Sequence, residues 1–484
     1  MKKIIYKTTL ALFLAIGLVS CDSELDQLPH DSLGTDQAYN TAQDFENALR
    51  GTYSVFFSDG YYGGGDSGDL NTLPEVLADN VIRNPNGRGT KRSLYDYFFD
   101  ASNAHMSIYT AGYSMIYRAN LILDYMEKND FQGENRLQFQ AEARALRAIA
   151  HFDIVKFFGK IPSQGGDLGL GIAYVTEPDP KITPARLPLL ETYDKIIEDL
   201  EFAYNNIDSS FKDGRLNKEA IALYLSRVHL YLGGDDNNLK ASSYASEVVT
   251  QPAEREQITG VFTDSIKSGV VFYISNIAGA DGMDVSIGNA WGQGNVNGRT
   301  SEYNVTSSFY NMFDDSDIRK EAFMKEGRDN SGNRGIFISK IWGKDGAYNG
   351  KVDLKILRAE EAILNKAEAE YKLRNYPQAL IELDKLRELR YENFTSGNET
   401  GDDLWEAIKL ERRLEFAFEY NRFLDIKRWG EDLNRFDEGH QADGTGNRPV
   451  RLNVENSDIR FVLPYSQESL NRNHNTVQNP GYQN

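Results

Sequence analysis

The sequence predicts a predominantly α-helical protein with little β-structure, in which paired helices form a scaffold around an irregular, loop-rich lobe. Three observations carry this expectation. Small and apolar residues recur at helical spacing over several long stretches. Some of these stretches break and resume, as helix–turn–helix pairs do. Between them lie long tracts rich in Gly, Asn and Pro that lack a helical period.

In 141–158, Ala141, Ala145, Ala148, Phe152 and Val155 share one face, and their small side chains let a neighbouring helix approach closely. Residues 217–248 read as a helix pair. So do 356–373 and 376–390, separated at Arg374-Asn375, with Asn375 as an N-cap and Pro377 in the first turn. Ala367, Ala379 and Leu383 fall at the small, small and large packing positions of a tetratricopeptide repeat. Further helices are expected at 36–56, 104–127, 189–207 and 403–423, the last with Asp403 and Glu406 as a capping pair. The irregular territory covers 58–103, 159–188, 251–350 and 430–484, with a β-like run at Val270-Val271-Phe272-Tyr273-Ile274.

Residues 1–20 read as an export signal. Lys2, Lys3 and Lys7 precede an apolar run from Leu10 to Val19. Ten residues rise about 15 Å as a helix, half of a bilayer core, so the run is a cleaved signal and not a span. Leu18-Val19-Ser20-Cys21 matches a lipobox, which makes Cys21, the single cysteine, the lipidated first residue of the mature chain. An ordinary secretory signal with an incidental cysteine is the alternative, although a normal cleavage site needs none. With that thiol carrying lipid, the chain has no disulfide and depends on its packed core. Asp22, Glu24 and Asp26 then read as a solvated tether, and the chain beyond it as soluble.

The net charge of −19 argues against nucleic-acid or polyphosphate partners. It also disfavours heavily sulfated or uronate-rich ligands unless a local basic pocket overrides it. Catalytic signatures are missing: there is no G-x-S-x-G, no phosphate-binding loop and no H-E-x-x-H. The six histidines are scattered, and His151 on its alanine-faced helix reads as a packed residue. Asp281 and Asp284 could contribute to a calcium site, but their spacing is not that of an EF-hand and they read better as a solvated turn. No metal and no cofactor is expected, and the protein is not expected to be an enzyme.

Four segments resemble the SusD/RagB family of nutrient-binding lipoproteins: AEARALRAIAHFDIVKFFGKIP (141–162, after YSMIYRANLIL), LRAEEAILNKAEAEYKLRNYPQALIELDKLRELR (357–390), IKLERRLEFAFEYNRFLDIKRWG (408–430) and VLPYSQESLNRNHNTVQNPGYQN (462–484). LPEVLADNV (73–81) and the ALRGTYSVF stretch extend the likeness over the mature chain. Glu411, Arg412, Arg413, Glu415, Arg422, Asp425, Arg428 and Trp429 in the third segment read as structural, tying helices and loops through charged hydrogen bonds.

The resemblance implies about four tetratricopeptide-like helix pairs in an α-superhelical scaffold, with the ligand surface on the irregular lobe. It divides the mature chain into an N-terminal region with helix pairs (21–250) and a C-terminal region with ligand-binding loops and further pairs (251–484). It further implies a lipid-anchored protein on the outer face of the outer membrane that captures oligosaccharides. Such a protein acts as a hinged lid over a SusC-like TonB-dependent transporter. A peptide-binding lid of the same family is the alternative; a protein-binding helical scaffold and a surface glycosidase are more distant ones. Sugar rings stack on aromatic side chains while their hydroxyls seek polar ones. The segments matching the family's binding regions offer Tyr61, Tyr62, Arg83, Asn84, Arg88 and Tyr95, then Trp291, Asn295 and Tyr303, with Trp342 and Tyr348 in reserve. Trp291 is the leading candidate.

Overall fold

The computed structural model of the protein describes residues 38–482 apart from 64–67, 105, 210–213, 278–284, 289–290, 292–299, 330–331, 345–346 and 348. The expected signal and Cys21 lie outside the described residues, as do Asp281, Asp284, Asn295 and Tyr348.

The chain begins with α1 (Ala42–Tyr53), α2 (Asp69–Val76) and β1 (Val81–Arg83). It continues as α3 (Ile108–Lys128), α4 (Arg136–Phe158), α5 (Leu189–Asn206), α6 (Lys218–Leu232) and α7 (Asp235–Ser246). Five strands follow, separated by loops and short helices: β2 (Val270–Ile274), β3 (Tyr303–Val305), β4 (Met324–Arg328), β5 (Arg334–Ile338) and β6 (Leu354–Arg358). The chain then returns to helix in α8 (Ala359–Lys372), α9 (Tyr376–Glu388), α10 (Gly401–Glu415) and α11 (Arg422–Trp429). From α3 to α10 each helix packs on the next, the stacked order of helical repeats. The fold is predominantly α, as expected, and the strands pair only as two-stranded ribbons.

Local chemistry explains the elements. Thr41 and Asp44 form a capping box at α1, and the Asn217 side chain accepts the Ala220 N–H at 2.8 Å to start α6. The small face of α4 is buried throughout, and Gly112 of α3 lies so close to Ile154 that a Cβ there would sit 2.7 Å from its side chain. Ala367, Ala379 and Leu383 are fully buried in one cluster between α8, α9 and α10, in their expected packing roles. α6 and α7 turn at Gly233 (φ 66°) and Gly234 (φ 80°), and a Cβ on Gly233 would stand 2.5 Å from that of Ser163. Gly233→Ala is therefore expected to cost about 2 kcal/mol, through backbone strain and that clash, as a lower midpoint in urea unfolding.

Four expectations need correction. Ile356, Leu357 and Arg358 belong to β6 and not to a helix, because β6 pairs antiparallel with β2. The helix expected over 403–423 starts at Gly401, with Asp403 in its first turn instead of at its cap. It ends at Glu415, because Phe418 (φ 65°) and Tyr420 (φ 72°) adopt left-handed backbone before α11 begins. α2, finally, lies in territory expected to lack helix.

His151 is a packed residue. Its Nδ1–H donates to the Arg147 carbonyl at 2.8 Å, its Nε2 accepts the Val175 N–H at 3.0 Å, and its ring stacks on Tyr174. Burial pushes its pKa down to about 3, so it is neutral.

Candidate ligand surface

The surface builds from α2 outward. Glu75 is buried at the end of α2 and accepts the Phe418 N–H at 2.9 Å and the Asn80 amide at 3.0 Å. Burial pushes its pKa up to about 7. Asp79 is buried as well, which alone would raise its pKa. Arg413 and Arg422 outweigh that effect and hold it near about 2; Arg422 grips both carboxylate oxygens, at 2.7 and 2.8 Å. These contacts join the LPEVLADNV and ERRLEFAFEYNR motifs and fix the direction in which β1 leaves α2.

β1 pairs antiparallel with β3, placing Arg83 opposite Tyr303. The 84–90 loop then folds over Glu302, whose carboxylate accepts from the backbone N–H groups of Arg88, Gly89 and Thr90 and from Arg88 Nε at 2.8 Å. The Tyr303 hydroxyl donates to the Thr90 carbonyl at 2.7 Å. Asn86 donates to Asp329 at 3.0 Å, and Asn304 to the His440 carbonyl at 2.9 Å. Loops from four parts of the chain thus converge on one rigid platform.

The predicted site residues divide sharply on this platform. Trp291, Tyr303 and Tyr95 form a buried aromatic cluster, with ring centres 5.9 Å apart for Trp291–Tyr303 and 5.7 Å for Tyr95–Tyr303. Trp291 is 0% exposed, so its indole offers no face for stacking. An irregular lobe still needs a core, and these rings supply it. Tyr61 and Tyr62 are buried against the helical scaffold: the Tyr61 hydroxyl donates to Asp153, and Tyr62 packs edge-on against Tyr420. Asn84 is buried beneath its own loop. Arg88 is exposed but engaged by Glu302.

Arg83 remains. It is half-buried at the end of β1, near Tyr95, Tyr303 and His440, and among the described residues its guanidinium has neither a hydrogen bond nor a counter-ion. Five N–H donors held at the edge of a rigid strand suit the hydroxyls of a ligand. Trp342 is half-buried beneath Lys325, 5.2 Å from its ring centre. Phe98 is a residue that the sequence reading missed. It is 57% exposed on the same segment as Arg83, whereas Tyr95, Tyr97 and Phe99 are buried. Nothing in YDYFF singles it out, since Asp96 is buried with its aromatic neighbours.

The charged residues of 411–429 do not line this surface as a group. They knit the scaffold together: Arg412 pairs with Asp425, Arg428 with Glu368, and Glu415 with three arginines. Among the described residues no cluster of three or more His, Cys, Asp and Glu is arranged to hold a metal, and no helix is long and apolar enough to cross a membrane.

Comparison with known proteins agrees with this architecture. A family profile described as the SusD family matches residues 288–482, and one described as starch-binding associating with outer membrane matches 66–230. SusD-like protein P2 of Formosa agariphila is 26% identical over the whole of both chains. SusD-like protein P25 of the same organism is 23% identical over 87% of this chain and 89% of its own. Among solved structures, a SusD superfamily protein from Bacteroides thetaiotaomicron superposes with a TM-score of 0.80 at 23% identity, over 91% of this chain and all of that one. Surface glycan-binding protein A from Bacteroides uniformis superposes at 0.71 and 19% identity, over 91% and 99% of the two chains. At these identities the superpositions speak for the fold. Helical stack, motif contacts and profiles agree, and the chain belongs to the SusD/RagB family.

Proposed function

We propose that the protein is a non-enzymatic, glycan-binding lipoprotein of the outer membrane, anchored through Cys21 with its ligand surface outside the cell. It captures an oligosaccharide on the platform around β1 and β3 and passes it, as a hinged lid, to a SusC-like TonB-dependent transporter. The observation that supports this reading best is Arg83, a half-buried guanidinium that has no hydrogen bond or counter-ion among the described residues, at the edge of a strand whose neighbouring loop is tied down by Glu302 and Tyr303. The family profiles and the glycan-binding relative point the same way. Phe98, 57% exposed with Arg451 5.7 Å from its ring centre, offers a further aromatic surface for the apolar face of a sugar. The C-terminal region, 251–484, contributes β3 and the loops beside it, and the N-terminal region, 21–250, contributes Arg83 and Phe98.

Affinity electrophoresis on neutral polysaccharides, run beside a peptide digest, tests the proposal. The wild type is expected to be retarded by a glycan, and Arg83→Ala to weaken that binding about tenfold or more, the scale of one lost charged hydrogen-bond set. Retention by peptides alone would replace the glycan with a peptide ligand. Release of reducing ends from a bound glycan would make the protein a glycosidase. Wild-type affinity in Arg83→Ala would remove Arg83 from the site.

A further inference from the structure

A cleft of about 600 Å3 opens between the connection that follows α4 and the C-terminal segment. Residues from 160–161, 164–165 and 167–170 line it with Arg186, as do residues from 456–459, 461–462 and 477–480, and Lys427 of α11 also contributes. Leu168, Leu170, Phe461 and Val462 give it apolar surface.

Three cations line this cleft, and none is paired with a carboxylate among the described residues. Arg186 is 7% exposed; it donates to the carbonyls of Gly171 at 2.7 Å, Val477 at 2.8 Å and Leu170 at 2.9 Å, and lies 4.9 Å from the Tyr465 ring centre. Lys427 is 3% exposed and gives its ammonium to the carbonyls of Lys156 at 2.7 Å and Gly159 at 2.8 Å, at the end of α4. Lys160, exposed at the rim, holds the Asp167 carbonyl at 2.5 Å. Carbonyls satisfy hydrogen atoms, but they are dipoles, and even a helix end supplies only about half a charge.

Buried cations elsewhere in the chain sit on carboxylates: Arg147 on Asp199, Arg227 on Glu361, Arg428 on Glu368. Arg435 is held by carbonyls too, but it stands alone, closed over by Tyr95 and Tyr97. Burial alone brings the Lys427 ammonium down to about 7, as expected for a cation with no anion beside it. The acids on the cleft do not meet the need. Asp458 is taken by Arg460, and Asp167 is exposed and caps the Gly169 N–H at 3.2 Å.

We infer that this cleft is a second ligand site, separate from the Arg83 surface, that takes the carboxylate of an acidic sugar such as a uronic acid residue. Its volume is that of a ligand pocket. Arg186 retains two of its five N–H groups for a carboxylate. The side-chain oxygens of Gln164 and Asn456 receive no donor from the described residues and are left for hydroxyls, while Leu168 and Phe461 face the C–H side of a ring. The chain's net negative charge does not forbid this, since at physiological salt its field fades within about 8 Å.

The site does not depend on the glycan reading of the Arg83 surface, and its test separates the two. Sodium glucuronate added to the full chain is expected to raise the melting temperature above that in matched sodium chloride or glucose, and to bind in calorimetry at one site. Lys160→Glu, at the exposed rim, is expected to weaken that binding about tenfold or more while leaving the ligand-free melting temperature unchanged. Arg186→Gln is expected to abolish binding, but it also cuts three carbonyl ties, so Lys160→Glu decides. Arg83→Ala is expected to bind glucuronate as the wild type does. Equal responses to sulfate, acetate and glucuronate would overturn the sugar assignment. No response beyond sodium chloride, or unaltered affinity in Lys160→Glu, would overturn the site.

Discussion

Glu415→Ala is expected to destabilise the protein by at least ~3 kcal/mol in urea unfolding. Glu415 is fully buried at the end of α10. Its carboxylate accepts from Arg390 Nε and Arg358 Nη1, both at 2.8 Å, and from Arg319 Nη1 at 3.3 Å. Burial alone would raise its pKa; Arg390, Arg358 and Arg319 reverse this and hold it well below the usual carboxylate range. Asp317, Glu360, Glu411 and Glu419 complete the network, so each arginine keeps another partner. What alanine removes is the one acid common to all three, leaving buried guanidinium groups short of compensation. A loss below about 1 kcal/mol would mean that the network behaves like a surface pair, and would refute this account.

Glu75→Gln is expected to change how stability responds to pH. The folded pKa of Glu75 is raised from 4.5 to about 7, so the proton is held more tightly in the folded chain. Its stabilising contribution is full below pH 4.5 and is lost as pH rises through about 7. Glutamine does not titrate. The stability of the wild type relative to the variant is therefore expected to fall by ~3 kcal/mol between pH 4.5 and above pH 7, about 1.4 kcal/mol per unit of the shift. Taking the difference removes two other effects: the constant cost of the lost Asn80 bond, and the opposing titration of His151. Parallel stability curves for the two proteins across that window would show that Glu75 is ionised throughout.

Much of the fold was legible because period and composition act locally. The alanine face of 141–158 and the positions of Ala367, Ala379 and Leu383 report close helix packing wherever they occur. The failures share a cause: they were decided by distant partners. Phe418 and Tyr420 carry no sequence sign of a helix end; the Phe418 N–H is held by Glu75, and Tyr420 packs against Tyr62. Ile356-Leu357-Arg358 suits helix or strand equally until Val270–Ile274 lies beside it. The site was legible by segment only. A tyrosine or tryptophan in a glycine-rich loop shows that a ring is present, not which way it faces, and Trp291 faces inward. Arg83 could be proposed from its segment, but its lack of a partner is a property of the assembled platform.

The contacts that fix β1 have a further consequence, in time rather than in space. Asp79 is held by Arg422, 343 residues later, and the carbonyls of Val76 and Ala78 by Arg435, later still. Contacts this remote in sequence close large loops and form slowly. A growing chain can stack α3, α4 and α5 as they emerge, but the strand that presents Arg83 stays unfastened until nearly the whole polypeptide has been made. The binding surface is therefore among the last parts of the molecule to mature, and a chain cut short before α11 would lack both the clasp on Asp79 and the Asp425 and Arg428 ties of the scaffold.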